Sequence, residues 1–555
     1  MLKLYIFICS LFVSYNIYSQ TPALLLDINT TGNSVKSTTA VFEFNGSSYF
    51  SADDGVHGPE LWKTDGTTSG TSCLLDINEG AYGSYPHEFA VIGNKMLFGA
   101  TDNSGLEDLW ITDGTTAGTE SIKSISPYYN PASGIRAITP FGTKAFFIAT
   151  DGTNGSELWV TDGTSDGTMM LKDIDTIPDS GGLDWTSSFM VLNNKIYFEA
   201  SESIHGRELW ESDGTAAGTK LLKDIYPGAE SGLDYLTDFT LLNGKFYFSA
   251  KDEVHGFELW ESDGTEAGTQ LVKDIKPGSA SGFSPSFQIF PFKNKIYFQA
   301  DNGDISIGRE LWSSDGTSGG TQLLKDINTG SNYSDAKYFS ELNGKLYFWA
   351  MKNTSPFSTI FQFWMTDGTS DGTVVAADTY PGNYTSGLTK VYNGNLYTTY
   401  SDATYGYQLF RFDPGSASLK MLSPAAPAID ACNAGGLGTT FSVSNGKFFY
   451  PAVYDASKGI ELYTFSTASN GIETNALSEN ACMFPVPADK QMNIYLEPNI
   501  REVKIIDAQG QVVLSVPSGN KLMVSFDCSS LTPGIYIARF EAGEHTFSRT
   551  FIVKH

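Results

Sequence analysis

Short apolar runs separated by turn signals recur along the chain, and residues 188–225 show the pattern. There "FMVL", "KIYFEA", "ELWES" and "TKLLKDI" follow one another with polar or glycine-rich stretches between them. Each run has the length and composition of a strand. The first two runs meet at Asn-Asn, which is Asn-Gly in sister units such as 243–244, and this pair favours a hairpin because both residues tolerate positive φ. The unit therefore predicts a four-stranded antiparallel meander.

The unit repeats, and its clearest marker is a tryptophan followed three residues later by Asp-Gly-Thr. Successive copies lie 48 to 52 residues apart. The tryptophans are Trp62, Trp110, Trp159, Trp210, Trp260, Trp312 and Trp364. A period near fifty residues indicates a repeat architecture built from one supersecondary unit.

The strands are apolar on both faces, which decides how the units must assemble. Ile196 and Phe198 point to one side and Tyr197 to the other, so both sides need cover. Radial stacking of the sheets as the blades of a β-propeller supplies that cover. The tryptophan of each unit is then predicted to pack between blades, in preference to serving as a platform for sugars.

The segment "DGTAAGT" is predicted to be the turn between the third and fourth strands. Gly214 and Gly218 can adopt backbone angles that other residues avoid, and the aspartate can accept hydrogen bonds from amides two residues on. A catalytic role is disfavoured, because an enzyme needs one site whereas every unit needs this turn. The predicted turn aspartates are Asp65, Asp113, Asp162, Asp213, Asp263, Asp315 and Asp367.

Counting the units predicts how the ring closes. Eight units are complete, and a ninth at 441–467 has three strands only. An orphan strand, "ALLLDI" at 23–28, precedes the first complete unit and could supply the missing one. The predicted fold is therefore all-β, a β-propeller of eight or nine four-stranded blades closed by an N-terminal strand.

Composition and the first residues bear on location and partners. The 62 acidic and 35 basic side chains give a net charge of −27, which disfavours nucleic acid as a partner. Residues 1–19 carry a lysine, a ten-residue apolar core and a final serine, the pattern of a secretory signal peptide. No later segment is apolar for the roughly 18 residues that a transmembrane helix needs, so none is predicted.

Histidines recur in the loop between the second and third strands, at His57, His205 and His255. A metal site is one interpretation. Asn154 occupies the same position in another unit, and each of the four residues precedes a glycine. Because histidine and asparagine are both enriched at positive φ, a turn role is predicted instead.

Acidic residues in the same loops are the candidates for a cofactor. Carboxylates at equivalent loop positions could bind calcium through oxygen together with acids across the loop, although none has the spacing of an EF-hand. The candidates are Asp54, Asp102, Asp151, Glu202 and Asp252, and the facing acids are Glu60, Asp108, Glu157, Glu208 and Glu258. No other cofactor is indicated.

Two kinds of function remain open beside a purely structural surface-layer role. A carbohydrate-active hydrolase or lyase could draw carboxylates from different blades, and the longer loops at 301–309 and 351–362 are where its site would depart from the repeat. No known catalytic motif is present, and the repeat region has only four arginines for an anionic substrate. The repeated loops favour a binding or adhesion module for an extracellular glycan or protein.

The spaced "ELWxxDGT" signature between Glu60 and Thr369 resembles the ELWxxDGT-repeat family of bacterial secreted proteins. The resemblance covers most of residues 24–465. It implies an extracellular repeat protein and brings no defined reaction with it.

The last 75 residues resemble another family. The blocks "MFPVPADKQMNIYL", "VKIIDAQGQVVL", "LTPGIYIARF" and "FSRTFIVKH" are similar, in this order, to the type IX secretion C-terminal sorting domain. That resemblance implies a small Ig-like β-sandwich, the type IX machinery as a partner, and a secreted or outer-surface location in a Gram-negative bacterium. The predicted boundaries are a propeller at 20–465, a polar linker at 466–480 and the sorting domain at 481–555.

Overall fold

The fold is taken from a computed structural model, which divides into two compact units, Gln20–Thr467 and a second that contains Ala468–His555. Each unit is considered by itself. The described residues are 21–126, 134–177, 181–184, 186–283, 288–355, 358–377, 388–402, 406–422, 440–455, 457–466, 481–484, 491–496, 502–507, 511–517, 523–542 and 545–553.

The larger unit consists of four-stranded antiparallel sheets, here called blades 1 to 9 in chain order. The strand β1 is Thr21–Leu24. Blade 1 contains β2 Phe42–Phe44, β3 Ser47–Asp53, β4 Pro59–Thr64 and β5 Ser72–Leu75. Blade 2 contains β6 His87–Ile92, β7 Lys95–Thr101, β8 Glu107–Thr112 and β9 Glu120–Ser126. Blade 3 contains β10 Arg136–Phe141, β11 Lys144–Thr150, β12 Ser156–Thr161 and β13 Met169–Lys172.

The next three blades repeat this arrangement, with first strands of three residues as in blade 1. Blade 4 contains β14 Met190–Leu192, β15 Lys195–Glu202, β16 Gly206–Ser212 and β17 Lys220–Lys223. Blade 5 contains β18 Thr240–Leu242, β19 Lys245–Ala250, β20 Glu258–Ser262 and β21 Gln270–Lys273. Blade 6 contains β22 Phe290–Phe292, β23 Lys295–Asp301, β24 Arg309–Ser314 and β25 Gln322–Lys325.

The last three blades include the longest hairpin and the closing sheet. Blade 7 contains β26 Lys337–Leu342, β27 Lys345–Ser355, β28 Ser358–Thr366 and β29 Val374–Ala377. Blade 8 contains β30 Thr389–Tyr392, β31 Asn395–Asp402, β32 Gly406–Asp413 and β33 Ser418–Met421. Blade 9 contains β34 Ser442–Ser444, β35 Lys447–Ala452, β36 Glu461–Ser466 and, as its outer strand, β1.

Closure of the ring by the N-terminal strand is confirmed. β1 pairs antiparallel with β36, with Leu24 opposite Tyr463, and the Leu25 amide continues the ladder to the Leu462 carbonyl at 3.0 Å. The paired strand ends at Leu24, so the structure places it slightly earlier than the predicted 23–28. Leu25 then turns into the core between blades 9 and 1, where it is 2% exposed.

Apolar cores lie between successive blades and continue all the way round the unit. One core joins each blade to the next, and one of them packs Phe449 and Leu462 of blade 9 against Phe50 and Trp62 of blade 1. The predicted all-β propeller is confirmed, and the described residues form nine blades. Each blade is buried on both faces, which is why its strands are apolar on both faces.

The seven predicted packing tryptophans all lie in these cores, between their own blade and the preceding one. Each is between 4% and 9% exposed. Trp210, for example, packs with Phe198 against Phe146 and Leu158 of blade 3. An indole ring buried in this way offers no face on which a sugar could stack.

The first strands are innermost, since neighbours such as β6 and β10 approach each other closely. The side chains in the middle of these strands include Val191, Leu241 and Val443, each about 40% exposed. The inner wall of the ring is therefore partly apolar.

The second unit contains two antiparallel sheets. One has the order β37 Ala481–Phe484, β38 Gln491–Leu496 and β41 Met523–Asp527, and the other has the order β40 Val512–Pro517, β39 Glu502–Ile506, β42 Gly534–Ala542 and β43 His545–Val553. Its core includes Val503, Ile505, Ala538 and Phe540. The Ig-like assignment stays a prediction. Within the described segments of the whole chain, no helix is long and apolar enough to cross a membrane.

Candidate functional site

The two ends of the blades differ, and we name them for that difference. The loop face is formed by the loops that join second to third strands and by those that lead from each fourth strand to the next blade. The turn face is formed by the turns between first and second strands and between third and fourth strands. In an antiparallel meander these two sets of connections must lie at opposite ends of the sheet.

On the turn face, each repeated Asp-Gly-Thr segment forms the same closed network. In blade 4, Asp213 Oδ1 accepts hydrogen bonds from the Thr215 amide at 2.9 Å and its hydroxyl at 2.7 Å. The Thr215 hydroxyl also accepts the Gly218 amide at 2.9 Å, and Gly214 has φ +88°. The threonine bonds hold the pKa of Asp213 below its usual value. The same pair of bonds occurs at Asp65, Asp113, Asp162, Asp263, Asp315 and Asp367.

On the loop face, the glutamate of the "ELW" motif holds the long loop that leads to the next blade. Glu208 is fully buried, and its Oε2 accepts the Ile225 amide at 2.7 Å. Its Oε1 accepts the amides of Tyr226 at 3.2 Å and Gly232 at 2.7 Å. Glu60, Glu157, Glu258 and Glu310 accept amides of the equivalent loops. We call these five residues the latch glutamates.

Burial dominates the electrostatics of the latch. Desolvation raises the pKa of Glu208 to about 7, against the opposing effect of the three amide bonds. Desolvation likewise raises the pKa of Glu157, Glu258 and Glu310 to about 7. The latch oxygens accept hydrogen bonds from backbone amides in this structure, and calcium binding by the facing acids of the loops stays a prediction.

Four of the five calcium candidates accept hydrogen bonds from backbone amides of the loops in which they lie. Asp54 Oδ1 accepts the amides of Val56 and His57, both at 2.9 Å. Asp151 and Asp252 cap their own loops through the same two amide positions, and Asp102 accepts the Ser104 amide at 2.8 Å. Glu202 contacts the ring of His205. Among the described residues, no group of three or more potential ligands is placed to hold a metal ion.

The three repeated histidines complete these caps. His57 Nδ1 lies 2.8 Å from Asp54 Oδ2, and His255 Nδ1 lies 2.9 Å from Asp252 Oδ1. Asn154 Nδ2 donates to Asp151 Oδ2 at 2.9 Å, which is the same contact made by an amide. The reason predicted from sequence is wrong, because none of the three histidines has a positive φ. In blades 1 and 4 it is the following glycine that does, Gly58 at +70° and Gly206 at +67°.

The tips of these capped loops carry exposed branched aliphatic side chains. Val56, Ile204, Val254 and Ile305 of blades 1, 4, 5 and 6 are 64%, 68%, 63% and 86% exposed. We call these four residues the aliphatic tips. The adjoining loops of the same face expose further large apolar side chains at Tyr82, Ile177, Tyr235, Leu236 and Tyr333. On the turn face, the comparable exposed residues of the described chain are Met169 and Val374, at the starts of β13 and β29.

Blade 2 departs from the repeat at the latch. Asp108 stands at the latch position, and Glu107 accepts the Ile135 amide at 3.0 Å in its place. His87 Nε2 lies 3.0 Å from Glu107 Oε1 and 3.2 Å from the Ile135 carbonyl, while Nδ1 lies 2.9 Å from the Tyr85 carbonyl. Both ring nitrogens of His87 therefore lie within hydrogen-bonding distance of acceptors in the chain itself.

Blade 4 contains a second departure, at Glu199. This side chain is fully buried at a position that is serine in blades 1 and 5, and desolvation raises its pKa to about 8. Arg207 and Asp184, which pair at 2.9 Å, lie nearby. Since Glu199 has no exposed surface, a substrate cannot reach it.

The two longer loops that sequence suggested for an enzyme take different forms. The loop between Asp301 and Arg309 is capped by Asp304, whose Oδ1 accepts the Ser306 amide and hydroxyl, and it bears Ile305 at its tip. Residues 351–355 and 358–362 belong instead to β27 and β28, which pair as far as Ser355 and Ser358. Among the described side chains, neither of these two segments brings potential catalytic groups close together.

Comparison with known proteins identifies the tail. Residues 482–554 match a family model described as a secretion system C-terminal sorting domain. The chain therefore carries a type IX sorting domain, as its sequence blocks predicted. Such a tail implies interaction with the type IX machinery, export, and a secreted or cell-surface location in Bacteroidetes-type bacteria. A search of curated proteins finds none that matches this chain.

The solved structures that match this chain include peptidases. A puromycin hydrolase is 12% identical over 80% of this chain and 62% of its own, with a TM-score of 0.35. A prolyl endopeptidase is 11% identical over 78% and 56%, with a TM-score of 0.38. The β-propeller domain of the Trilobed protease from Pyrococcus furiosus is 14% identical over 62% and 98%, with a TM-score of 0.30. The chain spans about three fifths of the two whole enzymes, and these similarities carry no argument about activity.

Proposed function

We propose that this protein is an exported binding or adhesion module that recognises an extracellular glycan or protein through the loop face of its propeller. The observation that carries the proposal is the set of aliphatic tips, since three blades expose a branched side chain directly before the capping histidine and blade 6 exposes Ile305 at the tip of its longer loop. Exposed apolar groups gathered on one face of a protein mark interaction sites. Isolated ones would need no explanation.

The rigidity of the tips supports binding. Val254 lies between Asp252, which caps the loop, and His255, whose ring contacts that same carboxylate. A loop already held in its bound form loses little conformational entropy when a ligand arrives, which favours affinity. The caps repeat in blades 1, 3 and 5. This repetition favours a surface that presents similar contacts several times, and it disfavours a single reaction centre.

Export and boundaries complete the proposal. The sorting domain supports export by the type IX system, with residues 1–19 as a signal peptide, 20–465 as the propeller and 466–480 as a linker before the domain at 481–555. The "ELWxxDGT" repeats of the propeller resemble a family of secreted proteins, which agrees with a role outside the cell.

The test compares binding and turnover with the same full-length protein. Immobilised glycans and a displayed library of random peptides are offered to the wild type and to a tip variant carrying Val56→Ser, Ile204→Ser, Val254→Ser and Ile305→Ser. We expect capture of one ligand class by the wild type and its loss in the tip variant. A control variant, Met169→Ser with Val374→Ser on the turn face, should bind like the wild type.

A panel of chromogenic glycosides and polysaccharides tests the alternative. Steady hydrolysis or elimination that survives in the tip variant would contradict the proposal and favour a carbohydrate-active hydrolase or lyase. Thermal unfolding of each variant should match the wild type, because the four tips are largely exposed and Met169 and Val374 are 49% and 39% exposed.

A further inference from the structure

The loop face is acidic as well as apolar, and the two properties are interleaved. Val254 directly follows the exposed Glu253, and Ile305 directly follows the exposed Asp304. Val56 lies two residues from Asp54, whose carboxylate caps its loop. Each of these tips therefore stands beside a fixed negative charge.

The long loops of the same face add carboxylates with few cations. The loop after blade 4, residues 224–239, contains Asp224, Glu230, Asp234 and Asp238 and has no lysine or arginine. It also exposes Tyr235 and Leu236. The loop after blade 1, residues 76–86, contains Asp76 and Glu79 without a basic residue and exposes Tyr82.

Resting on the proposed binding function, we infer that the partner of the loop face is a protein surface that combines lysine or arginine side chains with exposed apolar side chains. Complementary charge steers such a partner and fixes its register, while apolar contacts at the centre hold it. The net charge of −27 extends the same attraction over the whole molecule.

The shape of the tips favours protein over glycan. Valine and isoleucine offer neither the flat ring that stacks on a sugar nor a side-chain hydrogen-bond donor for its hydroxyls. Negatively charged polysaccharides would be repelled by the carboxylates beside the tips. Apolar side chains of a protein partner can pack between the tips.

The experiment selects binders from a displayed library of random twelve-residue peptides on the full-length protein, with a glycan array run in parallel. Selected peptides should be enriched in lysine or arginine together with leucine, isoleucine or aromatic residues. The tip variant should weaken their binding about tenfold, as expected when a central apolar contact is lost. The control variant, Met169→Ser with Val374→Ser, should leave it unchanged.

Charge is tested separately. A variant with Glu79→Lys, Glu230→Lys and Glu253→Lys reverses three exposed carboxylates of the loop face and should weaken binding about tenfold at low salt, with a smaller effect at high salt. The matched control reverses Glu120, Asp166 and Glu266, three exposed acids of the turn face, and should cost less than about twofold, because they lie at the opposite end of the blades.

The outcomes separate this inference from the proposed function. Peptides without basic residues, or glycans captured in a tip-dependent way, would overturn the inference and leave the binding function standing. Selected peptides that bind the tip variant as well as the wild type would place the partner elsewhere and overturn the inference. No specific capture of either ligand class would overturn both.

Discussion

The loop face and the turn face are built from the same repeat, yet they use acidic side chains in opposite ways. On the turn face Asp213 is exposed and bonded to the hydroxyl and amide of Thr215, which lowers its pKa. On the loop face Glu208 is fully buried under three backbone amides, and burial raises its pKa to about 7. One carboxylate closes a tight local turn, whereas the other anchors a long loop that carries exposed side chains.

The difference explains which face can vary. Seven Asp-Gly-Thr turns keep the same spacing because the aspartate, the threonine and two glycines solve one local geometry. A β-carbon on Gly218 would stand 2.0 Å from Asp213 Oδ1, so even this small change meets the network. A latched loop needs only one buried anchor, and the residues between its anchor points are free to differ from blade to blade.

The largest expected effect on stability comes from opening the ring, which both faces need. Deleting residues 20–31 removes β1, opens the edge of β36 and takes Leu25 out of the core between blades 9 and 1. The free energy of unfolding should fall by at least about 3 kcal/mol, since more than one buried side chain and a strand ladder are lost. Denaturation midpoints measure the change, and Leu25→Ala should give a smaller fall in the same direction. An unchanged midpoint in the deletion would contradict a ring held closed by this strand.

A smaller effect should separate the two faces within blade 4. Glu208→Ala leaves three loop amides without their acceptor, two of them buried, and should cost about 2–4 kcal/mol of unfolding free energy. Asp213→Ala removes bonds that water can replace in part and should cost about 1 kcal/mol. Urea denaturation of the two variants measures the contrast. Equal losses would mean that the latch is no more important than the turn.

The pH dependence of stability should show the same contrast. Burial raises the pKa of all five latch glutamates above their ordinary 4.5, and in blades 3 to 6 the folded pKa is about 7. Between these values the folded chain holds more protons than the unfolded chain, so stability should fall as the pH rises from 4.5 to 7 and then level off. Asp213 and its sisters have lowered pKa values, so their contribution should be lost as the pH falls below about 4.

Melting temperatures from pH 3 to pH 9 test this profile. Glu208→Gln together with Glu258→Gln should flatten the limb between pH 4.5 and 7, and Asp213→Asn with Asp263→Asn should flatten the limb below pH 4. A melting temperature that rises from pH 5 to pH 8 would show that the amide bonds outweigh burial at the latch.

The smallest expected effect concerns the histidine caps. Replacing His57, His205 and His255 by asparagine should change the unfolding free energy by less than about 0.5 kcal/mol per site, because Asn154 already makes the equivalent contact. Thermal unfolding and metal analysis of the purified protein check this. Stoichiometric zinc that disappears in the triple variant would restore a metal role for these histidines.

Much of the fold was predictable because its causes are local and repeated. The Asn-Gly pairs, the Asp-Gly-Thr turns and the two-sided apolar strands each constrain a few neighbouring residues, and repetition makes them visible. The missing strand of the ninth unit and the orphan strand at the N-terminus predicted closure by simple counting. The candidate site was harder, although the branched residue before each histidine at Val56, Ile204 and Val254 was a signal that could have been read.

The sequence by itself determined the repeat, its turns, the propeller and the sorting tail, since each depends on spacing and on residues close in the chain. Only the tertiary structure decided what the acidic residues do. Glu208 meets the Gly232 amide 24 residues away, and spacing alone cannot tell such a buried anchor from a calcium ligand. The exposure of the aliphatic tips was also decided in three dimensions, because it depends on which neighbouring loops fail to cover them.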